Sequence, residues 1–236
     1  MGSLVIAVYR PKKGKSKALL ELVRTHVPTL RELGLVTARP PIVGKAGDGS
    51  IVEIFEWTSP EAIDQAHHDK TVQRLWKRFN AVSEYVALDA LAESSHPFPA
   101  LEPIDMPSQP GSIDWIDMTV PDAPAGATKV RRFYEKVVGL GVMPVPMGAY
   151  EDFCMIAGDG RVTSGICHGR GANADVPGGW LPYMTVASLA KSLAAARKAG
   201  GTVVGKPRSA GGGKFAIVRD PGGAHVGLFE YPKKRK

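Results

Sequence analysis

Cysteine is nearly missing from this chain: its 236 residues contain two, Cys154 and Cys167, and they do not form a Cys-x-x-Cys pair. That excludes a disulfide framework, and free thiols in a reducing compartment are the simplest expectation. Long apolar runs are missing as well. None approaches the roughly 20 residues that cross a bilayer, and the amino terminus lacks the basic, apolar and small-residue order of a secretory signal. A cytoplasmic protein with no membrane partner is expected. There is no acidic excess either: the formal charge is +7, and four of those charges sit in the tail Lys233-Lys234-Arg235-Lys236. A looser cluster of Lys12, Lys13, Lys15 and Lys17 is the other basic stretch. Neither stretch interleaves aromatics for base stacking, so solvated lysines are expected and nucleic acid is not expected as a partner. The remaining composition, 44 % hydrophobic, suits one large or two small globular domains.

Five prolines fall between Leu91 and Gly111. They forbid a regular helix or a central strand, which divides the chain into a first domain at 1–92, a linker at 93–111, a second domain at 112–232 and a basic tail at 233–236. Phe98 and Leu101 are the linker residues suited to pin it to a domain surface. In the first domain the apolar run Leu4 to Tyr9 predicts a strand, and Leu19, Leu22, Val23, His26 and Leu30 follow at helical spacing. His26 on that apolar face reads as a satisfied core histidine. A segment from Ala38 to Gly44, the turn signal Asp48-Gly49 and the alternating strand Ser50 to Trp57 come next. Thr58-Ser59-Pro60-Glu61 opens a helix whose stripe is Val72, Leu75, Trp76 and Phe79, and a last strand is expected near Glu84 to Leu91. The predicted order is a ferredoxin-like βαββαβ.

The phrases Val52-Glu53-Ile54-Phe55-Glu56-Trp57, Ser59-Pro60-Glu61-Ala62, Ala66-His67-His68 and Leu75-Trp76 make this first domain resemble the dimeric α+β barrel group, which includes antibiotic-biosynthesis monooxygenases and small haem-degrading enzymes. The resemblance implies a homodimer and a cavity between sheet and helices, with His67, His68 and Trp76 as cavity candidates. Haem-degrading members also use an asparagine on the first strand. Leu4 to Tyr9 contains none, so that chemistry is not carried over, and His67 and His68 cannot both face inward from one helix.

The second domain reads as one motif written twice. Ile113 to Asp122 followed by Phe133-Tyr134-Glu135-Lys136 opens the first copy, with Val130, Phe133, Tyr134 and Val137 at helical spacing. Trp180 to Val186 opens the second, which continues through a helix from Leu189 to Ala199, a turn at Gly200-Gly201, a strand Lys214 to Val218 and the closing phrase Asp220 to Glu230. These phrases resemble the vicinal-oxygen-chelate superfamily, the fold of glyoxalase I, extradiol dioxygenases and bleomycin-resistance proteins, and imply a paired βαβββ module in an α+β protein. Family members place metal ligands on the first and last strand of each copy. Here those positions fall on Trp115, Leu181, Gly165 and Gly227, none of which offers an oxygen, imidazole or thiolate donor. No metal and no other cofactor is therefore expected.

Alternation puts Asp117 on the face of Trp115, Thr163 and Cys167 on that of Gly165, Tyr183 on that of Leu181 and His225 on that of Gly227. Trp115, Asp117, Cys167, Tyr183 and His225 are thus the expected lining of a pocket for a flat, aromatic or conjugated small molecule. Asp117 and His225 are the candidates for acid–base work, provided they meet. Cys154 and Cys167 read as small hydrophobes, since the nearest base, His168, alternates to the other face. Gly211-Gly212-Gly213-Lys214 lacks Walker spacing and precedes a strand, so it reads as a mobile loop over the pocket. Three functions stay open: a small-molecule-binding module without metal, a metal-independent enzyme (monooxygenase in the first domain, or lyase or isomerase in the second), and a purely architectural protein.

Overall fold

The computed structural model describes residues 2–106, 108–121 and 126–232. The basic tail and Asp122, the end of the phrase that opens the first copy, lie outside them. The chain divides into two units, Met1–Pro107 and Ser108–Lys236.

In the first unit β1 (Ser3–Pro11) leads into α1 (Ser16–Glu32), and β2 (Ile42–Lys45) and β3 (Ile51–Trp57) form the hairpin expected at Asp48-Gly49. Gly49 has φ 86° there, and the Asp48 carboxylate accepts the Ser50 N–H at 2.8 Å, so the turn is made by the residue types that tolerate it. Two helices follow, α2 (Pro60–His68) and α3 (Lys70–Val82), then β4 (Ser83–Tyr85). One helix was expected across this stretch. Asp69 interrupts it: its backbone is extended at ψ 124°, and its side chain accepts the N–H groups of Thr71 and Val72, ending one helix and capping the next. The last strand is also shorter than Glu84 to Leu91, because a 3₁₀ turn takes over at Leu88–Ala90.

The sheet is antiparallel in the order β4-β1-β3-β2-β5, where β5 is Glu102–Pro103. Its odd-numbered face, carrying Tyr9, Ile51, Phe55 and Trp57, packs on Leu19, Val23 and Val27 of α1 and on Val72, Leu75 and Phe79 of α3. On the even-numbered face Val8 and Val52 are covered by Leu91 and Leu101, whereas Leu4, Ile6 and Ile42 are exposed at 64 %, 47 % and 69 %.

The proline-rich segment differs from the expected spacer. Up to Met106 it belongs to the first unit: Glu102–Pro103 pairs with β2, the Ile104 N–H donates to the Val43 carbonyl at 2.9 Å, and Ile104 and Met106 pack on the core. Leu101 pins it against Gly44, where an added Cβ would stand 2.9 Å from the leucine Cβ. Phe98 pins nothing and is 93 % exposed. Prolines barred a central strand but not an edge one.

The second unit repeats strand, helix and three strands. The first copy is β6 (Ile113–Pro121), α4 (Gly126–Val138), β7 (Gly141–Pro146), β8 (Glu151–Ile156) and β9 (Val162–Gly169). The second is β10 (Gly179–Thr185), α5 (Leu189–Lys198), β11 (Thr202–Ala210), β12 (Gly213–Arg219) and β13 (His225–Glu230). All eight strands form one sheet in the order β11-β12-β13-β10-β6-β9-β8-β7. The first strands of the two copies meet antiparallel at the centre, and each runs parallel to the last strand of its own copy. Helix α4 covers Met118, Val120, Met155 and Ile166, and α5 covers Ala216, Val218, Val226 and Leu228. Ser188 and Glu230 cap α5, the carboxylate accepting the Leu189 N–H at 2.7 Å. With one face so buried, the other is left to enclose a site.

Candidate functional site

The helix-free face of the second unit encloses a cavity of about 950 Å³. The register explains its shape. Trp115 lies opposite Tyr183, Asp117 lies opposite Leu181 and beside Gly165, and Tyr183 lies beside Gly227. Each glycine is therefore flanked by a large residue that leans over it. A Cβ at position 165 would stand 2.2 Å from Asp117 Oδ1 and 3.5 Å from Trp115 Cζ2, and one at 227 would stand 2.3 Å from Tyr183 Cδ1. Leu181 is fully packed, with 1 % exposure. The four positions where the family resemblance implied a metal thus offer no donor, and the space in front of the glycines is filled by their neighbours' side chains. These residues do not fit a metal.

Trp115, Asp117, Cys167 and Tyr183 line the cavity together, as alternation implied. Trp115 Nε1 donates to Asp117 Oδ1 at 2.6 Å. Burial lifts the Asp117 carboxyl above the usual carboxylate range; the Trp115 hydrogen bond opposes this and the nearby Asp152 adds to it. Burial, together with Asp117 and Cys167, also holds the Tyr183 hydroxyl well above the usual phenol range, against the pull of Arg208. Both thiols are lifted too, Cys154 by burial and then Asp117, Cys167 by burial, Asp117 and Asp152. Thiols held protonated are poor nucleophiles. His168 offers them no base, because its Nδ1 faces Asp152 Oδ1 at 3.1 Å from the buried side of β9.

Other expected residues stand elsewhere. His225 pairs with Arg219 at the start of β13 and does not line the cavity, so no Asp117–His225 pair forms; alternation named its face correctly, but the strand begins beyond the rim. Thr163 donates to the Met155 carbonyl at 3.2 Å. In the first unit His67 and His68 are exposed on α2. The His67 ring lies 4.9 Å from Trp76, and the His68 ring meets the Asp64 carbonyl at 2.7 Å. The cluster buried in that unit is a different one. Glu53, with no exposure, accepts from the Tyr9 hydroxyl at 2.9 Å and meets His26 Nδ1 at 2.7 Å.

Several lining residues were not singled out from the sequence. Phe215 and Phe229 are register partners across β12 and β13, on the same side as Gly227, and alternation along Lys214 to Val218 and along the closing phrase was signal enough. Arg208 and its ion-pair partner Asp175 line the rim, and Arg208 Nη1 also donates to the Ala172 carbonyl at 2.5 Å. Arg208 was not legible, because the register shifts between Val204 and Arg208 and local alternation fails there. Gly211, expected in a loop over the pocket, stands at this same rim.

No family model matches the chain, and no curated protein does. Solved structures similar to it include a methylmalonyl-CoA epimerase from Mycobacterium tuberculosis, 15 % identical with a TM-score of 0.35, over 51 % of this chain and 88 % of that one. Another is a methylmalonyl-CoA epimerase in complex with methylmalonyl-CoA and NH4+, 17 % identical with a TM-score of 0.34, over 52 % of this chain and 96 % of that one. A Streptomyces coelicolor methylmalonyl-CoA epimerase with 2-nitronate-propionyl-CoA is 16 % identical with a TM-score of 0.35, over 54 % of this chain and 99 % of that one. Likeness at this level says nothing about chemistry.

Proposed function

We propose that the second unit is a small-molecule-binding module on a vicinal-oxygen-chelate scaffold, with its metal positions given over to packing. The observation that carries this is the cavity itself: about 950 Å³, walled by Trp115, Tyr183, Phe215 and Phe229, with the Asp117 carboxyl at its wall. Large flat faces supply apolar contact, and one polar group sets orientation, which is the usual composition of a ligand site. The ligand read from these walls is aromatic or conjugated. The first unit is read as ferredoxin-like, of the dimeric α+β barrel type, because its strand order puts β1 and β3 at the centre with both helical segments on one face.

A second reading, acid–base chemistry on the bound molecule, has one observation in its favour, the lifted Asp117 carboxyl inside the cavity. Mass spectrometry of the extract from denatured protein tests the binding reading directly. A retained aromatic compound is expected, and Trp115→Ala should weaken its binding at least about tenfold, since a stacked ring is worth on the order of 1 kcal/mol beyond its buried area. A chain that retains nothing and binds no aromatic probe at millimolar concentration would sink the reading.

A further inference from the structure

The charges on the cavity wall are unbalanced. Among the described residues that line it, four aspartates, Asp114, Asp117, Asp152 and Asp175, face one cationic side chain, Arg208. Each of the four is held at one carboxylate oxygen. Asp114 accepts from the Thr185 hydroxyl, and Asp152 Oδ1 accepts the His168 N–H at 2.8 Å while facing its ring. Asp175 pairs with Arg208, which offsets the positive charge at the rim. Asp117 is likewise held at one oxygen, its Oδ1 accepting from Trp115 while its Oδ2 receives no hydrogen bond among the described residues; what sets it apart is that its one partner is a ring that itself lines the cavity. Trp115, Tyr183, Phe215 and Phe229 place four aromatic rings around the same space, and the π face of such a ring attracts a cation.

We propose that the molecule held here is a cation, a protonated amine on a flat aromatic or conjugated frame, with its ammonium group against Asp117 Oδ2 and its rings against Trp115 and Tyr183. This rests on the binding reading above and adds to it the sign of the ligand's charge. An anion entering the cavity would meet carboxylates with no free counter-charge among the described lining residues. A neutral frame would leave Asp117 either ionised and uncompensated in a buried site or protonated. An ammonium group removes that cost by a charge-assisted hydrogen bond, and aromatic faces attract it further.

The test uses the full chain and matched probes on one bicyclic ring: 1-naphthylmethylamine, protonated at neutral pH, 1-naphthylmethanol, and 1-naphthoate. Titration calorimetry should rank the amine first by about tenfold over the alcohol, with the naphthoate weakest. Asp117→Asn should bring the amine to within about threefold of the alcohol. Equal affinities, or preference for the naphthoate, would overturn the charge assignment and leave the pocket reading standing. No binding by any probe would overturn both. The ranking on the unaltered chain decides the matter even if the variant does not fold.

Discussion

Gly165 and Gly227 are small because Asp117 and Tyr183 are not. With an added Cβ at 2.2 Å and 2.3 Å from those neighbours, Gly165→Ala and Gly227→Ala should each destabilise the second unit by about 1–3 kcal/mol, the usual range for overpacking. Urea unfolding followed by tryptophan fluorescence measures this, and a neutral result at both positions would refute the account of why the metal positions are empty of donors. Asp117 yields a pH prediction. Burial keeps its proton on in the folded chain to higher pH than in the unfolded chain, so its contribution to stability is full below the ordinary carboxylate pKa of about 4 and declines as pH rises through the lifted folded value. Asp117→Asn, which keeps an acceptor for Trp115, should therefore be more stable than the parent at pH 7, and the gap should narrow toward pH 4. A gap that does not change with pH counts against it. In the first unit, Glu53→Ala leaves Tyr9 and His26 buried without their acceptor and should cost about 3–5 kcal/mol, whereas Tyr9→Phe removes one hydrogen bond and should cost about 1 kcal/mol.

At the scale of elements, capping and pairing overrule periodicity. The helix start at Thr58-Ser59-Pro60-Glu61 and the stripe Val72, Leu75, Trp76 and Phe79 suggest one helix, yet Asp69 ends α2 and starts α3 because its carboxylate satisfies two N–H groups that the second helix leaves free. Asp69→Ala should lower stability by about 1 kcal/mol, read as a lower melting temperature by circular dichroism; an unchanged melt would show that packing alone sets the break. The proline-rich strap teaches the same lesson from the other side. Its composition marks an interruption, and Leu101 under Gly44 with Glu102–Pro103 on the edge of β2 turns the interruption into part of the first unit. On the cavity wall, alternation along β6, β9 and β10 placed Trp115, Asp117, Cys167 and Tyr183 on one face, and these four line the same cavity, since strand periodicity is local. Alternation has no knowledge of where a strand starts relative to the cavity, which is why His225 was grouped with them and stands outside.

For the molecule as a whole, the exposed Leu4, Ile6 and Ile42 on the even-numbered sheet face argue for self-association through the first unit, because an uncovered apolar sheet face is costly in water. Light scattering of the full chain at micromolar concentration should give a dimer mass, and Ile6→Lys should shift it toward monomer; a monomeric parent would refute the proposal. No helix of the described residues is long and apolar enough to cross a membrane. The strand–helix order of the first unit apart from the α2–α3 break and β5, the duplication in the second unit and the lack of metal donors at Trp115, Leu181, Gly165 and Gly227 were legible in the sequence, because secondary structure and donor chemistry depend on residue type and short spacing. Only the tertiary structure decided that Asp114, Asp152, Asp175 and Arg208 share one cavity with Asp117, that the rim comes from a bulged strand, and that Glu53 and His26 meet in the first core. Those neighbours are brought together by strand register and strand order, which arise from long-range pairing energies that no local pattern records.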